Sequence, residues 1–597
     1  MGAQPGDCED EGTFTLLSHS EANLTTEESI EKIAQYFAQI SQEYPPLSMN
    51  ILPHRVQEKL NSPINHCELP TLSEEDIGLL IKKSKKPKSG VPGDLPKTLV
   101  NEFPTELAVP LHKIFLNMLQ TSQWPSMWRK EYGVPLQKEP NPKTEDQLRI
   151  ISLTSFFSKT YEQFVIKWLM DYLGDKIDPN QYGGQKGNSI THYLIEFVNF
   201  ILYNQDMSNP EAVLAIMVDF KQAFNRQNHN ILVTLLSDMG VPGWLLRIVA
   251  SFLTDRELIV RYKGTTSEQK SLPGGSPQGT RLGMFLFLIL INFTGFPFHE
   301  IERGVGVKIT LPLAERKPLS KLHLKYVDDL SLAAAINLKK NLVINPDPNP
   351  PRPLSYHCRT NHILPCEKNV INQQFQVLTE FARDNEMQIN VKKTKAMLFN
   401  TRRKMDFMPE IQSESGEHIE VVEEYKLLGV KIQSDLGWAK NTNFLCAKGY
   451  SKLWMLRNLK KMGTEQYLMI DVYYKQCRSV MEMAVPVWSA GLTKSESNQL
   501  ERVQKTAMAI ILGVHYKSYK SALKILNMKT LEERRTELCL SFAKKSLKNE
   551  KFQSWFCESP DSDVHVKPVK TRTKRYLKSP LPYLTNLLNE DFKKPRR

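Results

Sequence analysis

Residues 321–335 read KLHLKYVDDLSLAAA, so two adjacent carboxylates interrupt an apolar stretch that is typical of strands. Asp328 and Asp329 therefore lie where the surrounding Leu, Val and Ala residues indicate burial. Burying one ionised carboxylate without a partner costs roughly several kcal/mol, and burying two side by side costs more. The stretch therefore predicts two short strands joined at an acidic tip, with a cation that neutralises the tip.

A second acid follows an apolar strand upstream, where AVLAIMVDF places Asp219 after the last buried position. If this strand lies beside the predicted hairpin, three carboxylates meet at one point, and they cannot all ionise without a divalent cation. Ligands that are all oxygen favour Mg²⁺ or Mn²⁺. Two such ions about 3.5–4 Å apart serve in-line phosphoryl transfer. An isolated Asp-Asp pair is typical of a surface turn, but the apolar flanks and Asp219 favour the metal site.

The charge balance points to a polyanionic partner. The 597 residues contain 78 Lys and Arg against 65 Asp and Glu, a net charge of +13, which favours nucleic acid. The eight scattered Cys residues suit reduced thiols in an intracellular protein of the nucleus or cytoplasm. Cys358, His362 and Cys366 lack an evident fourth zinc ligand, so free thiols are favoured. The longest apolar run, LGMFLFLILI, is shorter than the about 20 residues that cross a bilayer, so we expect no membrane association.

Several further stretches, taken in order with the acidic hairpin, resemble the motifs of one enzyme family. They read LRIISLTSFFSKTYE, QYGGQKGNSITH, MVDFKQAFN, GGSPQGTRLGMFLF, YVDD, MQINVKKTKAMLF and EYKLLGVKIQSDLGW. Together they resemble reverse transcriptases, with the nearest likeness to the non-LTR (LINE-type) retrotransposon enzymes, over residues 70–515. The resemblance implies an RNA-directed DNA polymerase that extends a DNA primer on an RNA template.

The implied fold class is α+β, a right-hand polymerase with fingers, a palm built on an antiparallel sheet, a thumb and a helical C-terminal region. On this basis residues 1–70 form an N-terminal helical extension. The fingers cover 71–210 and the palm 211–436, with the reverse transcriptase core over about 130–436. Residues 437–545 form a helical thumb and following helices. Residues 546–597 are predicted to be a basic, disordered tail.

The resemblance also assigns a catalytic and metal-binding triad, Asp219, Asp328 and Asp329, which would hold two Mg²⁺ or Mn²⁺ ions. Successive side chains on a strand face opposite ways, so the two adjacent aspartates cannot be equivalent ligands. We expect Asp219 and Asp328 to be the principal ligands and Asp329 the weaker one. The main-chain carbonyl of Phe220 is expected to add a further oxygen.

Phe224 matches the bulky ring that the family places under the nucleotide sugar. A ring there would clash with a ribose 2′-hydroxyl and so select deoxynucleotides. A core Phe is the alternative, but the position within the motif favours the role beside the sugar. Gln278 and Gly279 match the loop that contacts the template base and the incoming nucleotide, and glycine there permits close backbone approach.

Arg149 matches the fingers arginine that grips the triphosphate, and Lys138 is expected to assist it. The planar guanidinium suits this role because it binds phosphate oxygens bidentately. Lys393, in NVKKTK, resembles a lysine proposed as the general acid for pyrophosphate. Lys392 and Lys395 leave this assignment ambiguous, and a solvated basic face is the alternative.

The implied partners are an RNA template, a DNA primer or nicked target DNA, and deoxynucleoside triphosphates. The 70 residues before the fingers are fewer than the about 100–150 of a typical domain, so we expect a separate endonuclease. Asn225, Ile150 and the insertion at 337–368 depart from the family pattern without removing a metal ligand. The alternatives are a silent, domesticated nucleic-acid-binding protein, an RNA-dependent RNA polymerase and a structural scaffold.

Overall fold

A computed structural model of the protein describes residues 25–84, 91–208, 212–292, 321–336, 370–400, 411–413, 416–557, 559 and 565–593. The strands in this part of the chain are β1 (Lys130–Gln137), β2 (Leu148–Leu153), β3 (Ala212–Val218), β4 (Arg256–Tyr262), β5 (Thr265–Thr266), β6 (Lys270–Leu272), β7 (Lys321–Tyr326), β8 (Asp329–Ile336), β9 (Lys395–Phe399), β10 (Glu420–Val421), β11 (Glu424–Leu427) and β12 (Val430–Gln433).

The helices of the N-terminal half are α1 (Thr26–Gln42), α2 (His54–Asn61), α3 (Glu74–Lys83), α4 (Lys97–Glu102), α5 (Pro104–Thr121), α6 (Phe156–Leu173), α7 (Ile190–Asp206), α8 (His229–Asp238), α9 (Gly243–Leu253) and α10 (Arg281–Leu290). Those of the C-terminal half are α11 (Val370–Asp384), α12 (Ala439–Lys461), α13 (Gln466–Val472), α14 (Ser479–Met481), α15 (Val485–Trp488), α16 (Lys494–Leu512), α17 (Tyr519–Ile525), α18 (Leu531–Leu547), α19 (Glu550–Gln553), α20 (Lys574–Leu577) and α21 (Pro580–Phe592). The α+β class is therefore confirmed.

The chain divides into two compact units. Unit 1 comprises Met1–Asp178, Lys221–Phe293 and Ala382–Gln388, and unit 2 comprises Pro179–Phe220, Thr294–Phe381 and Ile389–Arg597. These boundaries cross those of the predicted fingers and palm, because β4 and the residues around it belong to unit 1. The assignment of fingers, palm and thumb to residue ranges stays a prediction.

Unit 1 contains a sheet in the order β2-β1-β4-β5, with β6 also paired to β4. Strands β1 and β2 are antiparallel, while β1 and β4 are parallel. Helix α1 begins with a capping box between Thr25 and Glu28, which satisfies free N–H groups of its first turn. Its apolar face, including Ile33 and Phe37, packs in one core with Ile150 and Leu258 of the sheet.

Unit 2 contains the sheet that carries the predicted triad, in the order β10-β9-β3-β8-β7. All of its pairs are antiparallel except β10 with β9. Every residue of β3 is buried, because alternate side chains enter two different cores. Val213 and Met217 belong to one core, which includes α7, and Leu214 and Ile216 belong to the other, which includes α11. Coverage of both faces explains why β3 is apolar throughout.

The C-terminal part of unit 2 is helical, as predicted, from α12 to α21. The prediction of a disordered tail over 546–597 is wrong for the residues that the structure describes there. Leu581, Leu584 and Leu588 recur at helical spacing and enter the main core of the unit. The main-chain N–H groups of Arg572 and Thr573 donate to the carboxylate of Asp206, each over 2.8 Å. The many Lys and Arg residues of this segment therefore flank an apolar stripe that helical packing buries.

None of the described helices is both long and apolar enough to span a bilayer. The segment LGMFLFLILI, which gave the longest apolar run, includes most of α10, and that helix is buried within unit 1. The insertion at 337–368, with Cys358, His362 and Cys366, lies outside the described residues.

Candidate active site

The acidic hairpin forms as predicted, with a small shift in where its turn lies. Strands β7 and β8 pair from Lys321 opposite Ala334 to Tyr326 opposite Asp329. The turn therefore consists of Val327 and Asp328, and Asp329 is already the first residue of β8. The sequence interpretation had joined the strands at the two aspartates, which is wrong by one residue. Asp328 lies on the turn, while Asp329 is held by the pairing of β8 with β7.

Asp219 lies beside this hairpin, which was the spatial expectation of the sequence analysis. Strands β3 and β8 are antiparallel neighbours, with Val218 opposite Leu330. Continuing this register by one residue places Asp219 opposite Asp329. By the period of two along each strand, both aspartates share the sheet face on which Met217 packs.

The charges of two of the carboxylates act on the third. Partial burial raises the pKa of the Asp329 carboxyl to about 7, and the neighbouring charges of Asp328 and Asp219 raise it further in the same direction. A cation that bound here would relieve this repulsion. Among the described residues, however, no three His, Cys, Asp or Glu side chains form a ready-made metal cage. The fit to Mg²⁺ or Mn²⁺ therefore rests on three carboxylates as oxygen donors, two of which raise the pKa of the third.

The main chain of Asp219 is held by the turn that precedes β9. Its carbonyl oxygen accepts from the N–H of Asn390 over 2.7 Å, and its own N–H donates to Oγ1 of Thr394 over 3.2 Å. Lys393 belongs to this turn and is exposed, with its N–H directed to the carbonyl oxygen of Asn390 over 3.2 Å. Phe220, the expected source of a main-chain oxygen, is buried and bridges to Ile389.

Tyr425, on β11, is a site residue to which the sequence analysis gave no role. Burial raises the pKa of its phenol to about 12, and the charges of Asp329 and Asp219 act in the same direction. Its hydroxyl therefore stays protonated near the two carboxylates and can donate a hydrogen bond there. The only signal in the sequence was an aromatic residue within EYKLLGVKI, a pattern that is as typical of an ordinary strand.

In unit 1, Arg149 and Lys138 lie on the antiparallel pair of β1 and β2. Arg149 is opposite Leu136, and the N–H of Lys138, one residue past β1, donates to the carbonyl oxygen of Gln147 over 2.9 Å. Residues at these diagonal positions project from the same face. Both side chains are exposed, and the Lys138 ammonium contacts the carbonyl oxygen of Asp146 over 2.8 Å. The structure therefore brings the two cations to one face of a hairpin.

The loop with Gln278 and Gly279 packs on the same β2 strand. The N–H of Ser152 donates to the carbonyl oxygen of Gln278 over 2.8 Å. Gly279 has a φ of +136°, and a Cβ atom there would lie 2.6 Å from the carbonyl oxygen of Ser152. This position therefore requires glycine for both backbone conformation and space.

Phe224 joins the same loop from another segment of unit 1. Its carbonyl oxygen accepts from the N–H of Ser276 over 2.7 Å. Its ring is partly buried, with its centroid 5.2 Å from that of Phe287 on α10. The ring is thus held by packing while part of it stays accessible, which suits a residue that limits the shape of a ligand.

Glu162, on α6, was also missed by the sequence analysis. It is fully buried, and its Oε2 accepts from the N–H groups of Arg281 and Leu282 over 2.7 and 3.0 Å. These N–H groups open α10, directly after the Gln278 loop, so the carboxylate caps that helix. Burial raises the pKa of Glu162, against the lowering effect of these two hydrogen bonds. A lone Glu on an apolar helical face was the only sequence signal.

Comparison with known proteins identifies the family that part of the chain matches. The family described as "Reverse transcriptase (RNA-dependent DNA polymerase)" matches residues 141–432, which include all three aspartates. The chain therefore contains a reverse transcriptase domain. Its relatives include RNA-directed DNA polymerases from transposons and mobile elements, which confirms the resemblance drawn from the sequence motifs.

Two of these relatives come from Drosophila melanogaster. The probable RNA-directed DNA polymerase from transposon BS is 22% identical over 488 residues, 80% of this chain and 48% of that protein. The RNA-directed DNA polymerase from mobile element jockey is 26% identical over 284 residues, 46% of this chain and 30% of that protein. The chain thus spans about half the length of the first relative and less of the second. A telomerase structure from Candida albicans, with a fragment of telomeric RNA, has a TM-score of 0.32 at 11% identity, covering 76% of this chain and 67% of that one.

Proposed function

We propose that the protein is an RNA-directed DNA polymerase with a right-hand architecture that extends a DNA primer on an RNA template. One observation carries this proposal: three aspartates, two from the hairpin of β7 and β8 and one from the end of β3, lie at one end of a sheet, where the charges of Asp219 and Asp328 help to raise the pKa of Asp329. No packing requirement explains such a cluster, whereas nucleotidyl transfer requires it.

Asp219 and Asp328, with the carbonyl oxygen of Phe220, are the groups that would hold two divalent cations, and Asp329 would bind more weakly. Such ions, when bound, lower the pKa of an attacking 3′-hydroxyl and neutralise the triphosphate. In the reaction, the primer O3′ forms a bond to the α-phosphorus, and the bond from that phosphorus to the pyrophosphate oxygen breaks. Lys393 would supply a proton to the leaving pyrophosphate.

The residues of unit 1 would bind the nucleotide and the template. The guanidinium of Arg149, assisted by Lys138, fits the phosphate oxygens of a deoxynucleoside triphosphate. Phe224 would exclude the ribose 2′-hydroxyl. Gln278 and Gly279 would contact the template base and the incoming nucleotide. Their loop is held by a hydrogen bond to β2 and leads directly into α10, whose first N–H groups donate to Glu162.

The decisive experiment is primer extension on an RNA template with deoxynucleoside triphosphates and Mg²⁺. We expect Asp328→Ala to lower the rate by about a hundredfold or more, since it removes a principal ligand. Asp384→Ala is the matched control, because Asp384 is an exposed aspartate elsewhere in the chain. Equal activity of Asp328→Ala and wild type would end the catalytic assignment. Absence of activity in wild type would favour the silent, nucleic-acid-binding alternative.

The proposed partners are an RNA template and a DNA primer or nicked target. With a net charge of +13, much of the affinity for these partners should come from phosphate contacts. We expect binding of an RNA–DNA primer-template, measured by fluorescence anisotropy, to weaken by at least about tenfold between 50 and 200 mM salt. Salt-independent binding would contradict this.

A further inference from the structure

The turn that carries Asp328 is conformationally strained. Its first residue, Val327, has a φ of +57°, in the left-handed region. A β-branched residue rarely adopts this conformation, which costs about 1–2 kcal/mol. Two-residue hairpin turns normally place Gly, Asn or Asp at such a position. Contacts outside the turn must therefore hold Val327 in place.

The side chain of Gln181 supplies such a contact. Its Oε1 accepts from the N–H of Val327 over 3.2 Å and from the N–H of Gly183 over 2.9 Å. Gln181 is only 2% exposed, so this acceptor lies away from competing water. A buried hydrogen bond to the main chain of the turn opposes its relaxation to an ordinary φ.

The backbone around Gln181 follows β7, the edge strand of the sheet. The N–H of Lys325 donates to the carbonyl oxygen of Asn180 over 3.0 Å, and the N–H of Tyr182 donates to the carbonyl oxygen of Lys325 over 2.8 Å. Gly183 completes the approach, because a Cβ atom there would lie 2.6 Å from the main-chain nitrogen of Val327. The segment is therefore fitted to the hairpin turn by its main chain as well as by one side chain.

This segment is itself anchored in unit 2. The carbonyl oxygen of Gln181 accepts from Nδ2 of Asn188 over 3.3 Å. The ammonium of Lys551 lies 3.9 Å from the ring centroid of Tyr182, which also stacks on Phe552 at 6.1 Å. The segment around Gln181 is therefore anchored by other residues of unit 2, while the side chain of Gln181 contacts the turn.

We propose that Gln181 is a positioning residue that fixes the Val327–Asp328 turn, so that the Asp328 carboxylate keeps the orientation needed for catalysis. This inference rests on the proposed function, and it adds a residue that touches neither substrate nor metal. Met is the informative replacement, because it has a similar length and no acceptor oxygen. The Nε2 of Gln181 has no hydrogen-bond partner among the described residues. Replacing this amide nitrogen in Gln181→Met therefore removes no hydrogen bond from another described group.

The first measurement is hydrogen–deuterium exchange of peptides that cover residues 321–330, which requires no catalytic activity. We expect the Val327 N–H to exchange about tenfold faster in Gln181→Met than in wild type, because it loses its buried acceptor. Gln185→Met is the matched control: it makes the same change four residues away, at a partly exposed position. Equal exchange in Gln181→Met and wild type would overturn the proposal, whatever the outcome of the activity assay.

The second measurement is steady-state primer extension. We expect Gln181→Met to lower kcat by about tenfold, with the KM for deoxynucleotides and the Kd for primer-template within about twofold of wild type. A general loss of structure would instead change all three constants and the melting temperature. Activity in wild type with an unchanged kcat in Gln181→Met refutes the inference alone, whereas inactivity of wild type refutes the proposed function.

A double-mutant cycle with Val327→Gly tests whether Gln181 acts through the turn. Glycine adopts a φ of +57° without strain, so the turn should need Gln181 less in that background. We expect the effect of Gln181→Met on kcat to shrink from about tenfold to less than about threefold. An undiminished effect in the Val327→Gly background would show that Gln181 acts on something other than this turn.

Discussion

His229 should make the stability of unit 1 depend on pH in a calculable way. The side chain lies on α8 and is 1% exposed, with its Nε2 only 2.6 Å from the carbonyl oxygen of Gly275. Because that oxygen can only accept, Nε2 carries a proton. Burial lowers the pKa of His229 to about 4, and the charge of Arg256 adds to this, although the hydrogen bond to Gly275 opposes it.

The sign and size of the effect follow from these values. Above pH 6.5 the ring is neutral in both the folded and unfolded states, so it contributes no pH dependence. Between pH 6.5 and 4 the unfolded state binds a proton that the folded state does not, and stability falls as the pH falls. The shift from 6.5 to about 4 corresponds to about 3 kcal/mol in full, of which about 2 kcal/mol is lost by pH 5.

The assay is urea unfolding at pH 7.5 and at pH 5.0. Unfolding is monitored by hydrogen exchange of peptides from residues 229–238, so that unit 1 is observed separately. We expect His229→Gln to lose about 2 kcal/mol less than wild type between these two pH values, whatever its stability at pH 7.5. His66→Gln, at an exposed histidine in the same unit, should follow wild type. If His229→Gln and wild type lose the same free energy of unfolding, the buried neutral imidazole is not the cause.

Three further changes have expected outcomes. Phe224→Val should raise the ratio of ribonucleotide to deoxynucleotide incorporation by at least about tenfold in single-nucleotide extension, because it removes the ring proposed to meet the 2′-hydroxyl; an unchanged ratio would leave the ring a core residue. Glu131→Ala should lower the free energy of unfolding by about 3–5 kcal/mol in urea titrations, since it leaves the buried guanidinium of Arg256 without the carboxylate whose Oε1 lies 4.0 Å from its Nε; a loss below about 1 kcal/mol would contradict a buried ion pair. Gly279→Ala should lower primer-extension activity by about tenfold or more, because its Cβ meets the carbonyl oxygen of Ser152 and must displace the loop; full activity would show that the loop can shift without cost.

The sheet around the triad could be predicted from sequence because its signals are local and periodic. The run AVLAIMV is apolar at every position, which indicates a strand covered on both faces, and β3 is such a strand. One aspartate directly follows this strand, and two more lie inside another apolar stretch. The burial of both stretches limits the positions that these three carboxylates can occupy in the sheet. The pairing of β3 with β8 at a register that sets Asp219 opposite Asp329 follows the same alternation.

What the sequence could not reveal depends on contacts between distant segments. The turn residue Val327 gives no sign of its φ, because Val is among the residues least expected there. Glu162 caps a helix that lies about 120 residues further along the chain, and no spacing rule connects the two. In the C-terminal segment the basic composition favoured the prediction of disorder. Its leucines at helical spacing, Leu581, Leu584 and Leu588, are nevertheless buried in the core.

Three unfavourable features of unit 2 lie together at one end of its sheet, and their proximity is itself an argument for function. Asp329 is held near carboxylates that repel it, Val327 is held at a positive φ, and Gln181 is buried with half of its amide unpaired among the described residues. A few residues away, the same sheet is apolar on both faces. Relaxing any one of these features would stabilise the fold, so a requirement other than folding must retain them together. Fixing carboxylates in space for divalent cations is such a requirement, because it depends on a rigid frame that the apolar part of the sheet provides.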